Sequence, residues 1–218
     1  MAHTRVTPTR TPSEQVQAFE DYVFGQIDPG AWEPVTDYSL EARRRIEGEH
    51  PALIRAIFQP ARVLDFGCGP GCLVALLREL GVQADGYEPN YAANLERAYV
   101  GVREFLRPMF PARAEYDLVI CREVLEHVPL KGGQLADTIR RIVRCSTRFI
   151  YVTTRYCLNP SDLLDVDLAD NLDPTHITLL NKELVRLLFI LNGCKSRRDL
   201  EDAMDWQGKG RCLVFERC

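Results

Sequence analysis

The chain has 218 residues, 46% hydrophobic and 27% charged, with a formal net charge of -4 at pH 7. That length suits one ordinary domain with a substantial core, and the acidic balance argues against broad binding of nucleic acid. No stretch reads as a membrane span or a signal peptide. Eight cysteines lie scattered from Cys68 to Cys218 without a C-x-x-C pair. They read as reduced thiols buried as small apolar groups, with no metal site and a cytoplasmic location as the expectation.

Residues 1–12 are rich in Thr, Pro and Arg without periodicity and read as a disordered tail before a single domain over 13–218. Within it, 13–60 reads as a helical cap. Val16, Phe19, Tyr22 and Val23 suit one amphipathic helix, Ser39 to about Gly48 a second, and Pro51–Phe58 a third with proline in its first turn. From residue 61, strands and helices alternate, which predicts a parallel sheet with helical crossovers. The expected strands are Arg62–Phe66, Gln83–Glu88, Gly101–Phe105, Tyr116–Cys121 and Arg148–Thr153, then Lys195–Met204 and Arg211–Arg217. The expected helices are Cys72–Leu80, Asn90–Ala98, Gly132–Cys145 and Lys182–Leu191.

The run Val63-Leu64-Asp65-Phe66-Gly67-Cys68-Gly69-Pro70-Gly71 carries the chemistry. A strand that turns through glycines into a helix N-terminus offers free backbone N–H groups and lets a ligand approach the main chain. Asp65 adds an acceptor at the strand's end. Some twenty residues on, Glu88 stands at the tip of a second strand, where a carboxylate can take both hydroxyls of a ribose. The glycines recur at two-residue spacing, unlike the G-x-G-x-x-G dinucleotide fingerprint. A glycine-rich turn without a ligand is the plain alternative.

With Asp65 before it and Glu88 after it, the run resembles the first motif, hxDxGxGxG, of the class I S-adenosylmethionine-dependent methyltransferases. Cys121-Arg122-Glu123-Val124-Leu125-Glu126-His127-Val128 resembles the fourth motif of the small-molecule members of that class. The resemblance implies an α/β fold, a Rossmann-like seven-stranded and mostly parallel sheet with an N-terminal helical cap and one antiparallel strand near the end. It implies S-adenosylmethionine as cofactor, with Asp65, Gly67, Cys68, Gly69, Gly71, Glu88, Pro89, Cys121 and Arg122 around it. Cys121 and Arg122 would lie against its methionine part chiefly through backbone atoms. Glu123 would stand near the reacting centre, while Glu126 and His127 fix the loop. The residue that meets the adenine is open: Glu104 could accept from its amino group, or Phe105 could stack on it.

Asp173-Pro174-Thr175-His176-Ile177 resembles the segment that small-molecule methyltransferases place before their last helix. The acidic stretch from Arg155 to Asp173 reads either as a solvated loop or as a cover attracting an amine or sugar hydroxyl acceptor. Methyl transfer from a sulfonium is an in-line displacement, so alignment supplies much of the rate. An oxygen acceptor also needs a base, for which His176 and then Glu123 are the candidates. His176 ordering the loop is the alternative. A small-molecule acceptor is expected. The chain lacks the Asn-Pro-Pro-Tyr or Pro-Cys runs of nucleic-acid methyltransferases. Protein or RNA methylation and a non-catalytic partner subunit are the other readings. Trp32, Tyr38 and Arg43 are the candidate contacts from the cap.

Overall fold

Near-continuous burial along the strands shows a sheet covered on both faces. In the computed structural model, residues 40–88, 102–107, 109, 111, 114–154, 156, 178 and 180–218 are described. Helices α1 (Leu40–Glu47) and α2 (His50–Phe58) precede β1 (Arg62–Phe66), α3 (Cys72–Glu79) and β2 (Gln83–Tyr87). A 3₁₀ turn, Arg103–Phe105, leads into β3 (Leu106–Arg107), followed by β4 (Tyr116–Arg122), α4 (Gln134–Cys145) and β5 (Ser146–Thr153). The chain ends with α5 (Lys182–Leu191), β6 (Cys194–Ser196), α6 (Arg198–Met204) and β7 (Cys212–Arg217).

These strands form one seven-stranded sheet in the order β3-β2-β1-β4-β5-β7-β6. β1 pairs in parallel with both β2 and β4, β2 with β3, and β4 with β5. β7 runs antiparallel to both β5 and β6. The chain moves outward from β1 to β3, then returns to the other side of β1 as β4. That reversal opens a crevice at the carboxyl ends of β1 and β4, where open α/β sheets bind ligands.

Successive strand residues face opposite layers. Leu64, Phe66, Val119 and Cys121 pack with Leu135, Ile139 and Ile142 of α4 and Val185 and Phe189 of α5. Val63, Leu118 and Ile120 pack on the opposite face with Ile54 and Phe58 of α2, Val74 and Leu77 of α3, and Met204. Each such fully buried Leu, Ile or Phe contributes about 1.5–3 kcal/mol. α5 begins where Asn181 accepts from the amides of Glu183 at 2.9 Å and Leu184 at 3.1 Å, a cap worth about 1 kcal/mol. No helix among the described residues is long and apolar enough to cross a membrane.

Two expected strands differ. Gly101–Phe105 was expected to be extended, but Arg103–Phe105 is a 3₁₀ turn and the strand is Leu106–Arg107. Leu106, not Phe105, is the residue buried against the core here. Lys195–Met204 divides into β6 and α6. Leu200 and Met204, four apart, both turn onto the sheet, and Arg186 donates to Glu201 from the side, through Nη2 to Oε2 at 3.0 Å. Helical spacing and that buried ion pair outweigh the extended pattern. The expected tail, the helix beginning at Ser13 and the helix Asn90–Ala98 lie outside the described residues.

Candidate functional site

The glycine turn is tied to the neighbouring strand end. Tyr87 of β2 accepts from the amides of Gly67 at 2.7 Å and Cys68 at 3.2 Å. One residue on, Glu88 accepts from Gly69 N through Oε2 at 3.0 Å. Gly71 then precedes the first turn of α3, with its carbonyl accepting from Ala75 N at 2.9 Å. The backbone at Gly67, Gly69 and Gly71 is left-handed, with φ of 78°, 52° and 88°. Glycine adopts that region without steric cost.

Beneath the turn lies Asp65, 5% exposed at the end of β1. Burial pushes its carboxyl up to about 7, against the opposing charge of Arg122. A cation arriving above it would restore the ionised form. Burial likewise raises the Cys68 and Cys121 thiols, so neither is a thiolate near neutrality.

At the end of β4 the Arg122 side chain turns inward. Its Nη1 donates to Glu47 Oε2 at 2.8 Å, and His50 Nδ1 meets the same oxygen at 3.0 Å. His50 Nε2 lies 3.1 Å from Tyr151 Oη, and the Trp206 indole stacks on the imidazole at 5.4 Å between centroids. Burial pushes the Glu47 carboxyl upward, but the His50 hydrogen bond and the Arg122 charge outweigh it and hold it at about 2. Burial lowers His50, which is therefore neutral near pH 7. This network joins α1 and α2 to β4 and β5.

Glu123 follows in a left-handed backbone, φ 51°, which costs a non-glycine residue roughly 1–2 kcal/mol. Thr153 fixes it twice: its carbonyl accepts from Glu123 N at 2.8 Å, and its hydroxyl donates to Glu123 Oε1 at 3.2 Å. Thr154 donates to Glu126 Oε2 at 2.6 Å, and Glu126 O accepts from Thr178 N at 2.9 Å. Glu126 thereby anchors the 3₁₀ turn Leu125–His127, while burial, with Glu123 nearby, raises its carboxyl to about 7. Beside Glu123 a cavity of about 180 Å³ opens over the ends of β4, β5 and β7, with Arg122, Thr153, Trp206 and Arg211 among its walls.

A family model described as a methyltransferase domain matches residues 38–196. The chain belongs to the methyltransferase-domain family. A ubiquinone biosynthesis O-methyltransferase of Yersinia pestis is 38% identical over 78 residues, which cover 31% of this chain and 32% of that relative. The match thus spans about a third of the curated relative's length. The sugar N-methyltransferase KedS8 of a Streptoalloteichus species shares the fold at TM-score 0.60 and 18% identity, over 88% of this chain and 99% of its own. So does the magnesium protoporphyrin IX methyltransferase of Synechocystis PCC 6803, solved with bound SAH, at TM-score 0.56 and 14% identity over 94% of each chain.

In this methyltransferase-domain chain, Asp65, Gly67, Cys68, Gly69, Gly71 and Glu88 gather over β1 and β2. Cys121, Arg122 and Glu123 stand at the end of β4, across the crevice. Pro89, His176, Trp32 and Tyr38 lie outside the described residues, as does most of the acidic stretch before Asp173. The Arg122 side chain is engaged by Glu47, a contact that the motif did not show. Sequence reading missed Glu47, His50, Tyr151 and Trp206. The signal for the first two was a Glu and a His three apart beside the apolar face of Ile54 and Phe58. Trp206 and Tyr151 gave none, because their neighbours come from distant parts of the chain.

Proposed function

We propose that the chain transfers the methyl group of S-adenosylmethionine to a small-molecule acceptor, through an oxygen, nitrogen or carbon nucleophile, in the cytoplasm. The observation that carries this reading is the Glu88 carboxylate on the amide of Gly69, 3.0 Å away. It sets a carboxylate directly against the glycine turn, which supports Glu88 as the acid for a ribose. Two features support the fit of the donor. Beyond Gly69 and its two chain neighbours, no described atom lies within 4 Å of where a Cβ would sit on Gly69, so a ligand can lie against the backbone there. Buried Asp65 stands close by with a carboxyl that a cationic group would ionise. The seven described cysteines are all free thiols, which suits a reducing compartment.

When bound, the donor supplies a methyl group on a positively charged sulfur, and the departing thioether needs no proton. The protein's work is therefore alignment, proton acceptance and exclusion of water. Asp65 would face a cationic group of the donor and Glu88 its ribose, with the glycine turn between them. Glu123, locked by Thr153, faces the cavity and accepts the proton of a hydroxyl acceptor at Oε1 or Oε2. His176 is the second candidate for that proton.

The test supplies the purified chain with S-adenosylmethionine labelled in its methyl group and a small-molecule extract. Label in a low-molecular-mass product that disappears with Gly69→Val supports the reading. Label only in protein or nucleic acid, or in nothing, overturns it.

A further inference from the structure

We propose that Arg122 holds the carboxylate at the amino-acid end of S-adenosylmethionine through the side of its guanidinium that carries Nε and Nη2. Asp65, beside it, meets the ammonium of the same end. This rests on the methyl-transfer reading and adds how the far end of the donor is recognised. Arg122 Nε is buried and has no hydrogen-bond partner. A buried N–H left unmet costs stability, and native structures leave few of them. Nη1 is used on Glu47 Oε2 at 2.8 Å, and among the described residues nothing accepts from Nη2. The free groups are therefore two parallel donors on one side of the guanidinium, the fork that fits a carboxylate. The Glu47 contact holds that fork in place. The side chain keeps 22% of its surface and forms part of the cavity wall, so the guanidinium is open to a ligand on one side.

The sheet brings an acid next to this fork. Asp65 pairs with Ile120 across β1 and β4, and Arg122 lies one alternation further along β4, on the same face. The Arg122 charge acts on Asp65, yet the guanidinium pairs with Glu47 and not with Asp65. An acid and a base thus stand side by side beneath the glycine turn, and neither consumes the other. The amino-acid end of the donor is a zwitterion, with ammonium and carboxylate on one carbon, and it matches both. Net charge is not the attraction, because Glu47 balances Arg122. The ligand meets two unmet N–H donors next to a buried carboxyl. Cys72, in the first turn of α3, lies near Glu47, Arg43, Asp65 and Arg122, and burial raises its thiol to about 12, so it adds no charge.

Decarboxylated S-adenosylmethionine keeps the adenosine, the sulfonium, the methyl group and the ammonium, and lacks only the carboxylate. Calorimetric titration of both compounds gives the ratio of their affinities. The wild type should bind S-adenosylmethionine about 10- to 100-fold tighter, the gain of hydrogen bonds between charged groups. Glu47→Gln/Arg122→Met removes the pair without leaving a buried charge alone. With its fold confirmed by thermal melting, this variant should show a ratio of about one, through loss of S-adenosylmethionine affinity. Glu47→Gln alone retains the fork and should keep the preference. Equal affinities in the wild type overturn the proposal, as does a preference that persists in the double variant. Should the double variant not fold, Arg122→Lys keeps a cation without the fork and should lower the ratio at least about threefold, and an unchanged ratio there overturns the proposal. Binding of both compounds without preference sinks the role of Arg122 and leaves the methyl-transfer reading standing. No binding of either at millimolar concentration sinks that reading itself.

Discussion

Replacing Gly69 by alanine adds one methyl group at the point of the glycine turn where the structure is empty. Beyond its two chain neighbours, no described residue comes within 4 Å of the new Cβ, and φ is 52°. The fold therefore meets only the left-handed backbone cost of about 1–2 kcal/mol. For a chain of this size that corresponds to roughly 2–8 °C in melting temperature. In the proposed function the donor meets the main chain in that same space, so affinity for S-adenosylmethionine should fall at least about tenfold, or ~1.4 kcal/mol. Valine should do more harm than alanine. Gly67→Ala is the counterpart: its Cβ would overlap Val124 Cγ2 and come within 3.1 Å of Cγ1, at φ 78°. Overpacking of about 1–3 kcal/mol adds to the backbone cost, giving a loss of roughly 4–20 °C. Calorimetry with the donor and thermal melts on both variants decide the matter. Wild-type affinity in Gly69→Ala, or equal melting losses in the two variants, would refute the reasoning.

Three further outcomes follow from the same geometry. Asp65 rises from 3.8 to about 7 without ligand, so donor affinity should climb as pH rises from about 5.5 to 8 with a proton released on binding. Without ligand the sign for stability is the opposite: the folded state holds that proton longer, so stability falls as pH rises from about 4 to 7, and Asp65→Asn should flatten both profiles. Glu47→Ala strands Arg122 and should lower stability by about 3–5 kcal/mol, read by urea melts, whereas an exposed pair such as Arg44–Glu79 should give less than about 1 kcal/mol. Glu123→Gln should cut kcat for a hydroxyl acceptor about 10²–10⁴-fold with donor affinity unchanged, and equal loss of both would mark Glu123 as structural.

The order of elements was legible wherever one physical signal dominated. Strand β1, the glycine turn and α3 follow from Val63-Leu64 running into Gly67, Gly69 and Gly71, and α5 coincides with its expected bounds because Asn181 caps it. Legibility failed where tertiary contacts decide. α6 depends on Glu201 meeting Arg186, fifteen residues earlier, and β5 begins at Ser146 because that residue pairs with Tyr116 of β4, thirty residues earlier. At the candidate site, the glycine turn stood out in the sequence because its left-handed backbone favours glycine at Gly67, Gly69 and Gly71. The network of Glu47, His50, Arg122 and Tyr151 did not, since its members are up to 104 positions apart and each reads alone as an ordinary core or surface residue. Arg122 shows the limit best: the motif placed its backbone, and only the fold shows that its guanidinium faces Glu47.

The central claim is that the turn from Asp65 to Gly71, closed by Glu88, holds S-adenosylmethionine. Titration of that donor into the 218-residue chain by isothermal calorimetry tests it directly. A single saturable site at or below about 100 µM, lost in Gly69→Val at an intact fold, is the predicted result. No heat of binding at millimolar donor would contradict it.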